Sequence, residues 1–254
     1  MLVLKGKGSA VTGLAFSPDG AVLAASSSSR IGFWDLATET CDTRTMGVWG
    51  APPDNVRFDP SGQWLLAGFG LQRGLRVIAV RTPGVKQVGT FDANSLAVSR
   101  SGVVLVGAGR IAAFGITKSG LSARKWSKNL NGFYIAGLDF FPDGTQFATV
   151  EQKYDARSET GIVTRVRVRA SRDGRLIREA ESDGPLATTA RVSPDGRWIA
   201  FPSTKSIIVH DGTDLARSVK VPNPSKKPAT GLAFHPSSRY LAAISVVSSW
   251  AIYE

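Results

Sequence analysis

The stretch VTGLAFSPDGAVLAASSSSRIGFWD, residues 11–35, contains the pattern that decides the fold. Two segments of alternating small and apolar residues flank Ser17-Pro18-Asp19-Gly20, and a third segment ends in Trp34-Asp35. Alternation with a period of two predicts β-strands. In the four-residue turn, Pro presets φ, Ser and Asp hydrogen-bond to nearby amides, and Gly accepts positive φ. The stretch therefore predicts an antiparallel hairpin followed by a third strand.

The same pattern recurs along the whole chain. Its turns begin 40 to 52 residues apart, which is close to the length of a four-stranded propeller blade. The turns occupy residues 17–20, 59–62, 99–102, 141–144, 193–196 and 235–238. The first strands of the repeats are predicted near 11–16, 54–58, 94–99, 135–140, 187–192 and 229–234. We predict a single all-β domain over residues 1–254, a six-bladed β-propeller of four-stranded antiparallel blades.

The dipeptide Trp34-Asp35 ends the third strand of the first repeat. This dipeptide, together with the repeated order of strands and turns, resembles the pattern of the WD-repeat β-propeller family. The equivalent positions elsewhere hold other residues: 78–79, 114–115, 169–170, 210–211 and 253–254. The chain departs from the family pattern because it lacks the Gly-His pair before the first strand and the Asp in the turn before the third. Packing is therefore expected to supply more of the stability than in better-preserved repeats.

The two ends of the chain predict how the ring closes. The last repeat stops at Glu254 after its third strand, whereas Leu2-Val3-Leu4-Lys5 belongs to no other repeat. An open sheet edge exposes unpaired amides, and closure removes that edge. We predict that residues 1–5 form the outer strand of the last blade; a frayed terminus is the alternative.

The longest repeat contains an arginine-rich hairpin around Arg172-Asp173-Gly174. A three-residue loop with a left-handed Gly174 suits the strands on either side. This register sets Arg167 opposite Glu179 and Arg165 opposite Glu181. Opposite charges across a strand pair contribute about 0.2–1 kcal/mol each, so we interpret the arginines as a self-satisfied blade surface rather than a nucleic-acid track.

A net charge of +11 favours an acidic partner. The loops that enter the first and third strands contain an excess of basic residues, and in WD-repeat proteins this entrance face commonly holds peptide or protein partners. We predict that it binds an acidic peptide or protein segment, with the aromatic residues as buried anchors. The predicted partner-binding residues are Lys7, Arg30, Trp49, Phe69, Arg73, Arg110, Lys128, Tyr134, Lys205, Lys226 and Lys227. Charges that serve only solubility are one alternative; binding of nucleic acid or an anionic surface, with steep salt dependence, is another.

The positions of the histidines and carboxylates in the sequence do not indicate a catalytic reaction. His210 takes the place of the family's Trp and His235 opens a turn, so both are interpreted as structural. The sequence implies no metal site and no cofactor; a propeller enzyme with a site at the channel mouth is the competing class. Asp139 and Arg191 occupy equivalent positions of neighbouring first strands, and we predict an ion pair between them in the channel because a charge taken out of water needs a partner. A solvated channel without this contact is the alternative.

The cellular compartment is inferred from the cysteine content and from the search for membrane-spanning and signal segments. Cys41 is the single cysteine, so no intrachain disulfide forms. No apolar run is long enough for a membrane-spanning helix, and the first residues lack the charged start and long apolar core of a secretory signal. These features predict a cytoplasmic protein, which we expect to be monomeric.

Overall fold

The computed structural model describes residues 11–27, 30–45, 53, 55–69, 74–82, 84–88, 93–182, 187–223, 228–245 and 250–254. Within these ranges the chain forms 24 strands and no helix. None of the described segments is a helix that could cross a bilayer. The strands build six antiparallel sheets, which confirms the prediction of an all-β fold made of six propeller blades.

The first three sheets are short-stranded meanders. The first contains β1 (Gly13–Phe16), β2 (Val22–Ser27), β3 (Arg30–Asp35) and β4 (Cys41–Thr45). The second contains β5 (Asn55–Phe58), β6 (Trp64–Gly68), β7 (Leu75–Ala79) and β8 (Val85–Val88). The third contains β9 (Ser95–Val98), β10 (Val103–Gly107), β11 (Arg110–Thr117), β12 (Gly120–Leu121) and β13 (Trp126–Asn129). Both β12 and β13 pair with β11, so the fourth strand of this sheet is interrupted.

The other three sheets repeat the same order. The fourth contains β14 (Tyr134–Phe140), β15 (Gln146–Tyr154), β16 (Ile162–Ala170) and β17 (Leu176–Ser182). The fifth contains β18 (Arg191–Val192), β19 (Trp198–Pro202), β20 (Ser206–Asp211) and β21 (Ser218–Pro222). The sixth contains β22 (Ala229–Phe234), β23 (Leu241–Ser245) and β24 (Trp250–Tyr253). Residues 1–5, predicted as the outer strand of this last sheet, lie outside the described residues.

The turn between the first two strands follows the predicted chemistry in every sheet. Its last residue has positive φ in Gly20, Gly62, Gly102, Gly144, Gly196 and Ser238. In the first turn, Asp19 Oδ1 accepts hydrogen bonds from Ser17 Oγ at 2.5 Å and from the Ala21 amide at 3.1 Å. These bonds lower the pKa of Asp19 below its usual range, and the bond from Ser17 has the largest effect. The turn residues therefore fix where each hairpin reverses.

The chain divides into two compact units, each with its own apolar core. Unit 1 comprises residues 1–106 and 114–124, and unit 2 comprises residues 107–113 and 125–254, so the division falls within the third sheet. The core of unit 1 lies between the first two sheets and includes Ile31, Phe33, Leu65, Phe69 and Ile78. In unit 2 one core joins the fourth and fifth sheets, with Val150, Val166, Ile199 and Phe201, and another joins the fifth and sixth sheets.

Side chains of fourth strands tie one sheet to the next within each unit. In unit 1, Arg44 of β4 donates to the main-chain oxygens of Ala79, the last residue of β7, and of Val80 and Thr82, which follow it. Its guanidinium also lies 4.8 Å from the centroid of the Phe33 ring. Because buried carbonyl groups need donors, these bonds fasten the turn of the second sheet.

Two further donors repeat this arrangement in unit 2. Trp126 Nε1 of β13 donates to the Ser171 oxygen at 3.0 Å, and Arg178 of β17 donates to the Gly212 oxygen. Each acceptor lies at the end of the third strand of the next sheet. The donors differ in type and in exact strand position, so the sequence repeat does not show them.

The arginine-rich hairpin of the fourth sheet has the predicted register. Gly174 has a φ of 69°, and Arg167 and Arg165 stand opposite Glu179 and Glu181 respectively. An irregularity between Val168 and Arg169 accommodates the loop. The pairing prediction is therefore confirmed at the level of the backbone.

Candidate functional site

The structure describes six of the eleven predicted partner-binding residues. Lys7, Trp49, Arg73, Lys226 and Lys227 lie outside the described residues. In an antiparallel meander, the loop entering the first strand and the loop between the second and third strands lie at the same end of the sheet. We call this end of each sheet its entrance end. The described members are divided between the two units, Arg30 and Phe69 in unit 1 and the others in unit 2.

In unit 1 one of the predicted residues is exposed and another is buried. Arg30 is exposed at the start of β3, on the entrance end of the first sheet. Phe69 was predicted to be an exposed anchor, but it is only 1% exposed and belongs to the core of unit 1. Its amide donates to the Gly74 oxygen at 3.0 Å, and the Arg76 guanidinium lies 5.7 Å from its ring. The burial of Phe69 removes it from any partner-binding surface.

In unit 2, Arg110 and Lys205 are exposed at the entrance ends of their sheets. Tyr134 is 43% exposed, and its hydroxyl donates to Gln152 Oε1 at 3.1 Å. Burial of the remainder of the ring raises the pKa of Tyr134. Three of the predicted residues are thus available at this end of unit 2.

Lys128 does not lie in a loop as the sequence predicted. It belongs to β13 and pairs with Ile111. Its Cγ lies 3.1 Å from the position that a Cβ on Gly174 would occupy, so the stem of the side chain packs against the arginine-rich hairpin. The fourth strand of this sheet is interrupted after β12 and resumes as β13. Its second part therefore includes Lys128, which the sequence placed in the loop before β14.

The loop from β13 to β14 positions an aromatic ring that the sequence singled out only as a loop residue. Asn129 Oδ1 accepts the Asn131 amide at 2.9 Å, and both Asn131 and Gly132 have positive φ. The Phe133 amide donates to the Leu130 oxygen at 3.2 Å. These bonds turn the chain so that the Phe133 side chain is buried, at 7% exposure.

Three cations surround the Phe133 ring. The Arg165 guanidinium lies 4.2 Å from the ring centroid, Lys153 Nζ lies at 5.9 Å, and the Arg167 guanidinium lies at 6.0 Å. A cation within about 6 Å of an aromatic face is attracted by the ring quadrupole. We call Phe133, Lys153 and Arg165 the Phe133 cluster.

A buried carboxylate neutralises the arginines beneath this cluster. Glu151 is fully buried, and its oxygens accept Arg167 Nη1 at 2.7 Å, Arg169 Nη2 at 3.1 Å and Thr149 Oγ1 at 2.9 Å. Arg167 also donates to Glu179 at 2.8 Å. Because a buried charge is tolerated only when it is paired and hydrogen-bonded, Glu151 is a structural ion-pair centre.

Arg165 is the exception to the predicted self-satisfied stripe. Although Glu181 stands opposite it, the guanidinium stacks on Phe133, and no ion pair joins Arg165 to any residue in the described part of the chain. Lys153, exposed at the end of β15, likewise makes no ion pair with a described residue. The cluster therefore presents two cations that make no ion pair with a described carboxylate, although Glu151 and Glu181 are the cross-strand neighbours of Arg165.

The predicted channel ion pair between Asp139 and Arg191 is not present. Asp139 Oδ2 instead accepts the amide of Val192 at 3.0 Å, and Arg191 Nη1 donates to Thr189 Oγ1 at 3.1 Å and to the Ala190 oxygen at 2.8 Å. Each of the two side chains therefore has hydrogen-bond partners other than the opposite charge. The bond from Asp139 to Val192 fastens the first strands of the fourth and fifth sheets.

Both histidines have structural surroundings. His210 is 2% exposed, its ring stacks on Phe201 at 5.9 Å, and its nitrogens lie 2.8 Å from the Leu215 oxygen and 3.0 Å from Ser182 Oγ. Burial lowers the pKa of His210. His235 is exposed in its turn and bonds to Ser237. Among the described residues, no group of three or more His, Cys, Asp or Glu side chains is arranged to hold a metal ion.

Sequence reasoning missed Arg165 as a candidate and Glu151 as the centre of a network. The signal was present as alternation, because arginine occupies every second position from Arg165 to Arg169 and Glu151 lies in the preceding strand. The alternation does not predict which arginine forms an ion pair with which acid. That choice depends on the length of the loop between β15 and β16 and on the position of Phe133.

Comparison with known proteins agrees with this architecture. The family model of the WD domain, G-beta repeat, matches residues 1–35, the segment with the first turn and the Trp-Asp pair. A search of curated proteins found no match.

Solved structures share the fold at low sequence identity. A chain of hydrazine synthase from Kuenenia stuttgartiensis superposes with a TM-score of 0.76 and 11% identity, over 96% of this chain and 83% of that chain. At this identity the likeness shows the fold and nothing of the chemistry.

Proposed function

We propose that this chain, which belongs to the WD-repeat β-propeller family, is a non-catalytic scaffold that presents basic entrance-end residues to an acidic peptide or protein segment in the cytoplasm. Propellers of this family commonly serve as platforms for protein partners. The proposal narrows that role to one class of partner, chosen by charge.

One observation carries the proposal. Arg110, Lys153 and Lys205 are exposed at the entrance ends of sheets in unit 2, and none of them makes an ion pair with another residue in the described ranges. Surface cations that are already paired contribute little to a new contact, whereas unpaired ones remain available to steer and hold an anionic partner. The net charge of +11 acts in the same direction.

The acids at this end of unit 2 do not cancel these charges one for one. Asp155 uses its carboxylate to accept the Arg157 amide at 3.0 Å within its own turn. Glu159 is exposed in the same turn and is the nearest acid in sequence to Lys153 that accepts no described hydrogen bond. Among the described residues at this end, basic side chains still outnumber the acids: Arg110, Lys153, Arg157, Arg165 and Lys205 against Asp155, Glu159 and Glu181.

A charge-reversal experiment tests the proposal. An array of short peptides that vary in Asp and Glu content is probed with the full chain and with the double variant Arg110→Glu/Lys205→Glu. We expect the full chain to select acid-rich peptides and the double variant to lose about tenfold or more in affinity, because each reversal replaces attraction with repulsion. Arg172→Glu, an exposed arginine in the turn between β16 and β17, is the matched control.

Equal binding of acidic and neutral peptides would contradict the proposal. So would retention of binding in the double variant with loss in the control. Filter binding of single-stranded oligonucleotides in increasing salt separates the nucleic-acid alternative, because phosphate contacts release counterions and give a steep linear dependence of log affinity on log salt.

A further inference from the structure

We propose that the Phe133 cluster is a carboxylate-binding subsite, in which Arg165 and Lys153 together hold the side chain of an Asp or Glu from the bound partner. The inference rests on the proposed function and adds to it the position and chemistry of one specific contact. It follows from the way in which the guanidinium of Arg165 is held.

The first step concerns orientation. The Arg165 guanidinium carbon lies 4.2 Å from the centroid of the Phe133 ring, so the group is held in contact with an apolar surface. No hydrogen bond or ion pair joins its N–H donors to another described residue, so these donors remain available to a ligand. A guanidinium stacked on an aromatic ring is therefore pre-organised for bidentate contact with a carboxylate.

The second step concerns charge. Glu151, the buried acid of this sheet face, accepts bonds from Arg167 and Arg169, and Glu179 accepts a bond from Arg167. Glu181 faces Arg165 across the strands without an ion pair to it. The acids that are close enough to neutralise the cluster are thus either occupied or left apart by the stacking geometry.

The third step concerns the second cation. Lys153 Nζ lies 5.9 Å from the same ring centroid, and its Cε lies 3.6 Å from the position that a Cβ on Gly132 would occupy. The absence of a side chain at Gly132 lets the lysine stem lie along the loop. Lys153 is exposed and pairs with Val163, two residues before Arg165, so the two cations lie on the same face of the sheet.

The partner class follows from this geometry. Two cations around one ring match a single carboxylate, and the ring itself offers little free surface because Phe133 is only 7% exposed. A base-stacking platform needs an accessible aromatic face, which this cluster does not provide. The geometry therefore favours an acidic peptide over a nucleic acid.

Fluorescence anisotropy with labelled hexaglutamate, and with hexaglutamine as the uncharged probe, tests the subsite on the full chain. Arg165→Met is expected to weaken hexaglutamate binding about tenfold or more, since it removes a charge-assisted fork. Lys153→Met is expected to weaken it about threefold to tenfold. Arg165→Lys, which keeps the charge but not the planar fork, is expected to fall between the wild type and Arg165→Met.

Two further variants provide controls. Arg172→Met removes an exposed charge from a turn at the opposite end of β16 and is expected to change affinity less than about twofold. Glu181→Gln removes the unpaired acid opposite Arg165 and is expected to strengthen hexaglutamate binding by about twofold. Thermal unfolding followed by circular dichroism shows whether each variant keeps the fold, and Arg165→Lys serves if Arg165→Met does not.

The outcomes separate the two proposals. If hexaglutamate binds and Arg165→Met, Arg165→Lys and Lys153→Met bind as the wild type does, the subsite is wrong while the acidic-partner function stands. If neither the wild type nor any variant binds hexaglutamate in preference to hexaglutamine, both proposals fail. If a 12-residue oligodeoxythymidine binds in place of hexaglutamate and depends on Arg165, the cluster is a phosphate site and the carboxylate proposal is overturned.

Discussion

The first and fourth sheets share the same repeat but differ in how deeply the apolar residues of their first strands are buried. The first keeps the Trp-Asp pair of the family, yet Leu14 and Phe16 on β1 are 58% and 63% exposed. In the fourth sheet, where Arg169 replaces the Trp, the equivalent Leu138 and Phe140 are 3% and 9% exposed. The family dipeptide therefore does not determine how much of a blade is buried.

The two sheets also differ in how polar side chains are used. The fourth sheet has strands of seven and nine residues and buries Glu151 completely within a set of arginine bonds. The first sheet has strands of four to six residues and uses Arg44 to bond the main chain of the second sheet. Both sheets bond to a neighbour's backbone, through Arg44 and Arg178, and the fourth sheet has an internal ion-pair network in addition.

The largest expected effect is the loss of the network centre. Glu151→Ala leaves Arg167 and Arg169, whose side chains are 14% and 9% exposed, without their buried acid. We expect a decrease of about 3–5 kcal/mol in the free energy of unfolding, measured by chemical denaturation. Glu159→Gln, an exposed acid in the adjacent loop, should change it by less than about 0.5 kcal/mol. A similar small effect for both variants would show that the network does not distinguish the fourth sheet.

The second-largest loss of stability is expected where His210 of β20 contacts the fourth sheet. His210→Ala removes the ring stacked on Phe201 and leaves the Ser182 hydroxyl and the Leu215 oxygen without this partner. We expect a loss of about 2–4 kcal/mol from the cavity and the unsatisfied groups. His235→Ala, at an exposed turn, is the control, and a loss as large as that of His210→Ala would contradict the assignment.

In the first sheet the comparable test is Arg44→Met, which keeps an unbranched apolar stem and removes the donors to three main-chain oxygens of the second sheet. The expected loss is about 1–3 kcal/mol. Arg81→Met changes an exposed arginine in the same unit and should be close to neutral. If Arg44→Met were also neutral, the proposed role of fourth-strand donors in joining sheets would be wrong.

Acid pH should weaken the contact at His210 in a predictable direction. Because burial lowers the pKa of His210 in the folded protein, the unfolded chain binds the proton first as pH falls below about 6.5. The stabilisation is therefore present above that pH and is lost as pH falls toward the folded-state pKa, with a slope of at most about 1.4 kcal/mol per pH unit. Denaturation of the wild type and of His210→Phe between pH 8 and 5 checks this, and parallel curves would exclude His210 as the source.

The smallest expected effect concerns the turn of the first sheet. Gly20 has a φ of 70°, and a Cβ there would meet no atom within 4 Å, so Gly20→Ala isolates the backbone cost. We expect a loss of about 1 kcal/mol. Gly84→Ala, where a Cβ also meets nothing within 4 Å and φ is not positive, should be neutral or slightly stabilising. Equal effects would mean that left-handed φ is not what selects Gly20.

Local sequence is enough to specify the repeat, the turns and the register of the hairpin strands. Positive φ at Gly20 and at the equivalent turn positions follows from residues that are adjacent in the chain, and so does the pairing of Arg167 with Glu179 through the short loop at Gly174. These features depend on local steric and hydrogen-bonding preferences, which a few neighbouring residues fully specify.

The packed fold, in contrast, selects which side chains contact one another over long distances in the sequence. It buried Phe69, which the sequence placed on the surface, gave Asp139 a backbone partner instead of Arg191, and turned Arg165 toward Phe133 instead of Glu181. Each of these outcomes depends on the position of a loop or a neighbouring strand far away in the sequence. Alternation states which face of a strand a side chain occupies, but packing selects its partner among several groups that lie within reach.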